Sequence, residues 1–376
     1  MQSAIITQLL QIANAAQGKS APNPAVGCIV TDTDGNTLGK GHTQPAGGPH
    51  AEVMALRDAA ARGHSVVGAT AYVTLEPCSH HGRTPPCCDA LIAAGIKKVV
   101  VSIVDPNPLV AGQGIARLRA AGIEVEMGPG AAESRELNIG FFSRMIRKTP
   151  WVRMKVAASL DGQTALLNGQ SQWITGEAAR ADGHAWRARS CAVLTGIGTV
   201  LADNPRLDVR LAKQTTETTR QPHAVIVDSN LETPLDAHIL GAARAVFIYA
   251  AGQNDVKKAA LEALGATVIY LPGKGVAGQP TGKVDLHAML RDLARREVNE
   301  LHVEAGNKLN GSFIREGLVD ELLLYVAPKL LGTAQGLASF GPLHSLLDAT
   351  QLRFMSTEMI GEDLRIRARV AGREEF

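Results

Sequence analysis

Short apolar runs alternate with helical patterns along most of this 376-residue chain, and this alternation constrains the fold more than any other feature. In the first third, residues 26–30, 70–78 and 97–105 have the composition of strands, whereas 53–63 and 111–122 have helical spacing. Strands that alternate with helices pack as a sheet covered by helices. The sequence therefore predicts a three-layer α/β domain with a largely parallel sheet.

A break at Thr149-Pro150 separates two such series. The residue before a proline disfavours the helical conformation, so the segment 131–148, predicted to be a connecting helix, should end there. A second series of strands and helices follows, and Thr175 is the predicted N-cap of one of its helices. We expect two domains, 1–146 and 147–376, as the chain length allows.

Composition excludes several classes of protein. Aromatic residues make up only 4% of the chain and the formal net charge is +2, so the sequence favours neither a base-stacking platform nor a polyanion-binding surface. No apolar run approaches the roughly 20 residues of a membrane-spanning helix. The N-terminal helical pattern lacks the basic segment of a signal peptide. We expect a cytoplasmic protein with a small-molecule substrate and with neither nucleic acid nor membrane as a partner.

Three of the five cysteines, Cys78, Cys87 and Cys88, lie close together. An odd, clustered set suits a metal site better than a disulfide framework. His50 and two of these thiols would supply three donors, and a catalytic zinc characteristically has three protein ligands and a fourth position for water. Glu52 would be a nearby carboxylate outside the ligand set, placed for proton transfer.

Helix geometry restricts where such a site can lie. Residues 50 and 52 are about 200° apart around a helix, so both side chains reach one site only off the helix N-terminus. Cys87 and Cys88 fall in the first turn of another helix, for which Thr84 is the predicted N-cap. Two helix N-termini would then face one metal, where their positive ends favour thiolate.

Two other interpretations of the cysteines stay open at this point. A closed structural zinc site could use all three clustered thiols and a histidine, although neighbouring side chains on a helix diverge by about 100°. The thiols could also be buried and inert. For function, the alternatives to a small-molecule enzyme are a nucleic-acid base deaminase, which needs a basic groove and pocket aromatics, and a zinc-stabilised binding module, which needs four protein ligands.

The order His-Ala-Glu at 50–52, Pro-Cys at 77–78 and a later cysteine resembles the H-x-E…P-C-x-x-C signature of zinc-dependent cytidine and deoxycytidylate deaminases. Eight residues, rather than two, separate the two cysteines. With that longer loop, and with the segments "PNPAVGCIV" and "GHTQPAGGPHAE", the first part of the chain resembles the deaminase domain of the bifunctional proteins of riboflavin biosynthesis. The resemblance implies a cytidine-deaminase-like three-layer α/β/α domain. It also implies zinc ligation by His50, Cys78 and Cys87, proton transfer by Glu52, and substrate contact by Asn23.

The second half contains two units of strand, glycine turn and helix, around Gly196 and Gly306. Backbone N–H groups in such turns can hold a phosphate, and α/β sheets bind ligands where their strands end. Neither turn has the G-x-G-x-x-G pattern of a dinucleotide fold. Taken alone, the two turns leave nucleotide binding and simple turn formation equally open.

The segments "KVAASLDGQTA", "LTGIGTVLADNPRLDVR" and "EAGNKLNGSF" resemble the reductase domain of the same bifunctional family. The resemblance implies a dihydrofolate-reductase-like α/β domain, NADPH as cofactor and a homo-oligomer. By position it implies cofactor contacts at Ala157, Trp173, Thr199, Asp203, Ser229, Gly306, Asn307, Lys308, Leu309, Asn310, Gly311 and Ser312. It implies substrate contacts at Lys155, Ser171, Arg187, Leu207, Arg210 and Glu304.

The residue types suit the reaction that the resemblance implies. Arg187 and Arg210 could clamp the phosphate of the substrate. Lys155 lies in a predicted strand, where burial without a partner would be costly, so we expect it in a polar cleft. Asp203 and Glu304 are the two candidates for proton handling. The implied activity is zinc-dependent deamination of a diaminopyrimidinone phosphoribosylamine, followed by NADPH-dependent reduction of the ribosyl group of 5-amino-6-(5-phosphoribosylamino)uracil.

Overall fold

Each half of the chain folds around one large β-sheet in the computed structural model, which describes residues 2–82, 84–210, 220–241, 243–275 and 279–376. The first unit comprises Met1–Lys148 and the second Thr149–Phe376. No helix within the described ranges is both long enough and apolar enough to cross a membrane.

The sheet of the first unit has five strands in the spatial order β2-β1-β3-β4-β5. Their bounds are β1 Gly27–Thr31, β2 Thr37–His42, β3 Thr70–Val73, β4 Lys98–Val101 and β5 Glu124–Met127. β1 pairs antiparallel with β2 and β3, whereas β3, β4 and β5 are parallel. The prediction of a largely parallel sheet is therefore wrong for β1 and β2. The short turn between them allows only an antiparallel hairpin, and β1 also pairs antiparallel with β3.

The helices described in this unit are α1 Gln2–Asn14, α2 Ala51–Ala61, α3 Cys87–Ala93, α4 Gln113–Ala120, α5 Ala131–Leu137 and α6 Ile139–Arg147. The single helix predicted over 131–148 is thus two helices, which meet at Asn138. The predicted N-cap Thr84 is also wrong, since α3 follows Pro86, which has an extended ψ of 133°. A helix cannot easily begin earlier, because the residue before Pro86 disfavours the helical region.

Close packing of α2 on β2 fixes the place where α2 begins. A Cβ at Gly41 would lie 2.6 Å from the Ala55 nitrogen and 2.7 Å from the Ala51 oxygen. Only glycine permits this approach of two backbones. The start of α2, and with it His50, is therefore held beside the end of β2.

The second unit has a nine-stranded sheet in the order β11-β10-β9-β8-β14-β6-β15-β18-β17. Its strands are β6 Trp151–Ser159, β8 Ala192–Gly196, β9 His223–Val227, β10 Val246–Ala250, β11 Ala266–Tyr270, β14 Glu300–Val303, β15 Glu321–Ala327, β17 Leu352–Ile360 and β18 Asp363–Val370. The seven strands from β11 to β15 are parallel, and β18 and β17 add an antiparallel edge. Two small ribbons pair β7 Gln163–Ala165 with β16 Gln335–Gly336, and β12 Pro272–Lys274 with β13 Pro280–Val284.

The described α-helices of this unit are α7 Glu177–Arg189, α8 Ile197–Asp203, α9 Asp255–Ala263, α10 Leu286–Arg295 and α11 Asn307–Arg315. The prediction that Thr175 caps α7 is wrong. The residue before the helix is Gly176, and its N–H donates to the Asp363 carboxylate at 2.7 Å. A partner from the far end of the chain thus replaces the local cap.

α7 covers a face of the sheet that is charged as well as apolar, since Ala179 also packs with Leu323 and Tyr325. Arg153 in β6 is fully buried and donates to Glu321 at 2.7 Å and to Glu300 at 2.6 Å. Its guanidinium lies 4.6 Å from the ring centre of Trp186 on α7, within the range of a cation–π contact. Paired charges and this stacking therefore hold α7 on the sheet.

Candidate functional sites

Three candidate zinc ligands meet at one end of the first sheet. His50 Nδ1 lies 3.5 Å from Cys78 Sγ and 3.3 Å from Cys87 Sγ, and the three donor atoms are within 4.8 Å of one another. Zinc bonds of about 2.0–2.1 Å to nitrogen and about 2.3 Å to sulfur, at a tetrahedral angle, place nitrogen and sulfur about 3.6 Å apart. These donors fit a tetrahedral zinc ion.

The starts of two helices carry two of these donors, as the sequence predicts. His50 immediately precedes α2, Cys87 is the first residue of α3, and Cys78 follows β3. The Cys87 N–H donates to Cys78 Sγ at 3.3 Å. Hydrogen bonding from the Cys87 side chain lowers the pKa of Cys78, although burial opposes the shift. This hydrogen bond favours the thiolate form of Cys78, the form that binds metal.

Cys88 points away from this cluster. Its Sγ donates to the carbonyl oxygens of Pro77 at 3.3 Å and Gly114 at 3.5 Å. Burial, followed by the charge of Glu52, raises the pKa of this thiol to about 12. A neutral thiol that faces carbonyls is a packing residue, so the geometry disfavours a closed site with three cysteine ligands.

Glu52 lies in the first turn of α2 and is only 3% exposed. Burial, and then the negative charge of Cys78, raise the pKa of this carboxyl group to about 7. A carboxyl group with a pKa near neutrality can both accept and donate a proton at physiological pH. Glu52 therefore has the environment of a general acid–base residue.

The segment that carries Asn23 reaches the same end of the sheet. β1 is antiparallel to β3, so the residues before β1 lie beside those after β3. The Gly27 N–H donates to Thr74 Oγ1 at 3.1 Å, and the Val26 N–H donates to Thr43 Oγ1 at 3.1 Å. Asn23 is half-buried and comes shortly before Val26 and Gly27. It therefore lies at the end of the sheet at which Cys78 follows β3.

In the second unit, Glu304 follows β14 and gathers two cations. Arg187 donates to both of its carboxylate oxygens, through Nη2 at 2.9 Å and through Nε, and Lys155 Nζ lies 3.6 Å away. Burial opposes ionisation, but Arg187 and then Lys155 hold the pKa of Glu304 well below its usual range. Lys155 in β6 thus has a carboxylate partner, which follows the neighbouring strand β14.

The two predicted phosphate-binding arginines differ in how far the protein already engages them. Arg187 also donates through Nη1 to the Asp208 carbonyl at 3.0 Å, so three of the five N–H groups of a guanidinium are engaged. Arg210 is 59% exposed and pairs with the Asp208 carboxylate at 2.9 Å. Leu207, three residues before Arg210, is buried and has a positive φ of 50°. Arg210 therefore has the freer side chain.

The two strand–glycine turn–helix units lie side by side. A Cβ at Gly306 would be 3.8 Å from Thr199 Oγ1, and one at Gly196 would be 3.1 Å from the Leu309 side chain. Gly306 and Lys308 are exposed, and Asn307, Leu309 and Ser312 are half-buried. The first turn of α11 is therefore accessible beside α8, as a bound phosphate would require.

Asn310 and Gly311 face a different part of the protein. A Cβ at Gly311 would lie 1.8 Å from the Ser339 carbonyl oxygen, and Asn310 Nδ2 donates to the Leu337 carbonyl at 3.0 Å. Both residues are buried. Their side of α11 therefore packs on residues 337–339.

The remaining predicted contacts are spread around the second unit. Trp173 is 65% exposed, with the Arg180 guanidinium 4.6 Å from its ring centre. Ser229 follows β9, and its carbonyl accepts from Ala251 and Gly252. Ala157 and Ser171 are half-buried, and Asp203 is exposed at the end of α8. Of the two candidates for proton handling, only Glu304 lies in the cluster with Arg187 and Lys155.

Glu76 is a buried carboxylate that the sequence pattern did not identify as important. Glu76 accepts backbone N–H groups from Gly112 at 2.8 Å, Ile115 at 3.1 Å and Asp105 at 3.3 Å. Glu76 is 3% exposed, and it holds residues 105–115 beside the Pro77-Cys78 turn. The one available signal is an acidic residue directly before that turn, at the end of an apolar strand.

Comparisons with known proteins agree with this geometry. The family model "RibD C-terminal domain" matches residues 150–366, and the "Cytidine and deoxycytidylate deaminase zinc-binding region" matches residues 2–103. The riboflavin biosynthesis protein RibD of Escherichia coli K12 is 44% identical over 96% of both chains. The chain belongs to the RibD family. The riboflavin biosynthesis protein RibD of Aquifex aeolicus is 40% identical over 95% of both chains.

Solved structures of this RibD family extend the likeness to the whole fold. Acinetobacter baumannii RibD matches with a TM-score of 0.87 and 40% identity, over 98% of this chain and 99% of that one. A Thermotoga maritima protein, titled a diaminohydroxyphosphoribosylaminopyrimidine deaminase/5-amino-6-(5-phosphoribosylamino)uracil reductase, matches with a TM-score of 0.83 and 30% identity, over 98% of both chains. The predicted fold class is confirmed: a cytidine-deaminase-like domain is followed by a RibD reductase domain. This RibD-family chain is a bifunctional deaminase and reductase of riboflavin biosynthesis with a zinc-binding region.

Replacement of Glu304 by glutamine tests the second cluster. The neutral side chain would leave Arg187 and Lys155 without their shared counter-ion, so we expect kcat/KM of the reductase to fall about 10²-fold. The free energy of unfolding should fall by about 3 kcal/mol, because one partner of a buried ion pair is lost. Reductase assays and denaturant unfolding measure both effects. The matched control is Glu177→Gln, at an exposed position of α7, which should change neither; a reductase that keeps its rate in Glu304→Gln would contradict a role in the reaction.

Proposed function

We propose that the first unit removes ammonia hydrolytically from 2,5-diamino-6-(5-phosphoribosylamino)pyrimidin-4(3H)-one. In the proposal, the second unit then reduces the ribosyl group of 5-amino-6-(5-phosphoribosylamino)uracil with NADPH. The observation that carries the first step is the His50, Cys78 and Cys87 donor triangle with the buried Glu52 beside it. The name of the Thermotoga maritima protein supports both substrates.

In the deaminase site, His50, Cys78 and Cys87 would hold the zinc ion. When bound, zinc supplies a Lewis acid that activates water at neutral pH. Glu52 accepts a proton from that water and donates it to the departing amine, a role that its pKa of about 7 suits. Asn23 orients the pyrimidine through its side-chain amide.

In the reductase site, NADPH supplies the hydride, and the protein binds and orients the reactants. The proposed cofactor contacts are Gly306, Asn307, Lys308, Leu309 and Ser312 with Ala157, Trp173, Thr199, Asp203 and Ser229. The predicted contacts Asn310 and Gly311 are left out, because they are buried against residues 337–339. Lys155, Ser171, Arg187, Leu207, Arg210 and Glu304 contact the substrate. Glu304 keeps Lys155 and Arg187 in place, and Arg210 contributes its free N–H groups to the substrate phosphate.

We further propose that the protein acts in the cytoplasm as a homo-oligomer. Cys28, Cys78, Cys87, Cys88 and Cys191 are all free thiols, as is usual in a reducing compartment. The edge strand β17 leaves Phe354 71% and Met359 63% exposed. An apolar edge strand is a favourable surface for association with a second copy.

The test is to assay both half-reactions and the metal content of the purified full-length chain. We expect about one zinc per chain, ammonia release from the diaminopyrimidinone substrate, and NADPH oxidation with either substrate. In Glu52→Gln, NADPH oxidation should require the deaminated product. NADH in place of NADPH provides the cofactor control. Ammonia release without zinc, or NADPH oxidation by Glu52→Gln with the aminated substrate alone, would refute the proposed order of steps.

A further inference from the structure

The side chain of Asn138 binds the backbone on which Asn23 is carried. Asn138 Oδ1 accepts the Ala25 N–H at 2.7 Å, and Nδ2 donates to the Ala25 carbonyl at 2.9 Å. Nδ2 also donates to the Ser134 carbonyl at 3.2 Å. Asn138 is 5% exposed and lies 113 residues from Ala25 in sequence. One amide thus replaces the neighbouring strand that Ala25 would otherwise pair with.

The segment around Asn23 is held on both sides of that residue. Before it, Arg144 Nη2 donates to the Pro22 carbonyl at 3.2 Å. Pro22 and Pro24 flank Asn23, and proline has no backbone N–H to donate. The described hydrogen bonds of Asn23 itself are local, to Ser20: its N–H donates to the Ser20 carbonyl, and its carbonyl accepts from Ser20 Oγ. The pair of hydrogen bonds at Ala25 is therefore the first long-range anchor after Asn23.

A second carboxamide repeats the arrangement in the other unit. Gln221 Oε1 accepts the Val209 N–H at 2.8 Å, and Nε2 donates to the Val209 carbonyl at 3.2 Å. Val209 is buried and lies directly before Arg210 and two residues after Leu207. The segment belongs to no strand, so side chains again serve as its hydrogen-bonding partners. Gln221 bonds Val209, while the Arg210 N–H donates to His184 Nδ1 at 3.2 Å and Arg244 donates to the Leu207 carbonyl at 2.7 Å.

We propose that Asn138 and Gln221 are positioning residues, one for each half-reaction. Asn138 sets the position of Asn23 in the deaminase site, and Gln221 sets that of Leu207 and Arg210 in the reductase site. The inference rests on the proposed substrate contacts at these three residues. A carboxamide that bonds both the N–H and the C=O of one residue holds the peptide units on either side of that residue, whereas a single hydrogen bond holds only one.

The two residues allow a crossed experiment on the full-length protein. In Asn138→Ala we expect KM for the deaminase substrate to rise about tenfold, because a small displacement of a binding group has a large effect on the reacting geometry. The kcat of the deaminase, the zinc content and the reductase constants should change less than about twofold. Gln221→Ala should give the mirror image, with KM of the reductase substrate raised and the deaminase unchanged.

A control separates positioning from general loss of stability. Phe142→Leu in α6 removes buried packing one helical turn from Asn138 and leaves the Asn138 side chain intact, so it should lower the free energy of unfolding without changing KM. Should Phe142→Leu raise KM as much as Asn138→Ala, the inference is overturned. If Asn138→Ala does not fold, Asn138→Asp is the second variant, since it keeps an acceptor for the Ala25 N–H and loses the donor to its carbonyl.

A double-mutant cycle tests whether the effect passes through Asn23. In an Asn23→Ala background, Asn138→Ala should add less than about twofold to KM, because residues that act as a unit are not additive. In the same way, Gln221→Ala in an Arg210→Ala background should add less than about twofold to KM for the reductase substrate. Full additivity would overturn the inference and leave the proposed function intact, whereas absence of ammonia release from the wild type would refute the proposed function itself.

Discussion

Replacement of Glu52 by glutamine is expected to lower kcat for ammonia release about 10³-fold, with about one zinc ion still bound per chain. Glutamine has nearly the shape of glutamate but cannot carry a proton between water and the departing amine. Glu52 is buried, and its pKa is raised to about 7, so the wild-type residue can take both roles at neutral pH. The measurement is a steady-state ammonia assay together with metal analysis of the same preparation.

Two controls accompany the Glu52→Gln variant. Asp58→Asn, in the same helix but on its surface, should leave ammonia release within about twofold of wild type, since Asp58 bonds the Lys40 N–H and Arg62 rather than the zinc cluster. The reductase should still oxidise NADPH when the deaminated substrate is supplied. Ammonia release that persists in Glu52→Gln with zinc in place would refute the assignment of Glu52.

Serine at position 87 is expected to abolish both zinc binding and deamination, whereas serine at position 88 leaves both. Cys87 Sγ lies 3.3 Å from His50 Nδ1, within the donor triangle, and a serine hydroxyl is a far poorer zinc ligand than a thiolate. Cys88 Sγ instead faces the Pro77 and Gly114 carbonyls, to which a serine hydroxyl can also donate. The two adjacent residues form a matched pair of variants with the same chemical change.

Metal content per chain and deaminase kcat give the readout for this pair. We expect Cys87→Ser to lose at least about 10³-fold in rate, since activation of the water depends on the ion. The reductase activity of both variants reports whether the rest of the chain is folded. Loss of zinc in Cys88→Ser, or its retention in Cys87→Ser, would contradict the ligand set.

Local pattern predicted that two of the candidate zinc ligands lie where helices begin. The separation of His50 and Glu52 required a site off the start of α2, and the structure places it there. The direction of the β1–β3 pairing was not predictable from apolar runs, because a run has no direction. The predicted caps Thr84 and Thr175 were wrong for different reasons: Pro86 prevents an earlier helix start, and Asp363 supplies the partner for Gly176.

The environment of the Glu304 cluster depends on contacts between residues far apart in the chain, and such contacts produce no periodic pattern in the sequence. Arg187 was a predicted substrate contact, but its hydrogen bonds to Glu304 join residues 117 positions apart. The same holds for Asn138 and Ala25, whose contact links a helix junction to a loop. A carboxamide that binds backbone has no preferred spacing, and only the assembled fold identifies its partner.

The ionic face beneath α7 has a consequence for how this helix is seated. An apolar interface permits sliding, since one methyl group replaces another at little cost. If α7 moved by one helical turn, about 5.4 Å, Trp186 would leave the Arg153 guanidinium and the Arg187 side chain would leave Glu304. The helix therefore has a single register on the sheet, and this register fixes the position of the Arg187 guanidinium.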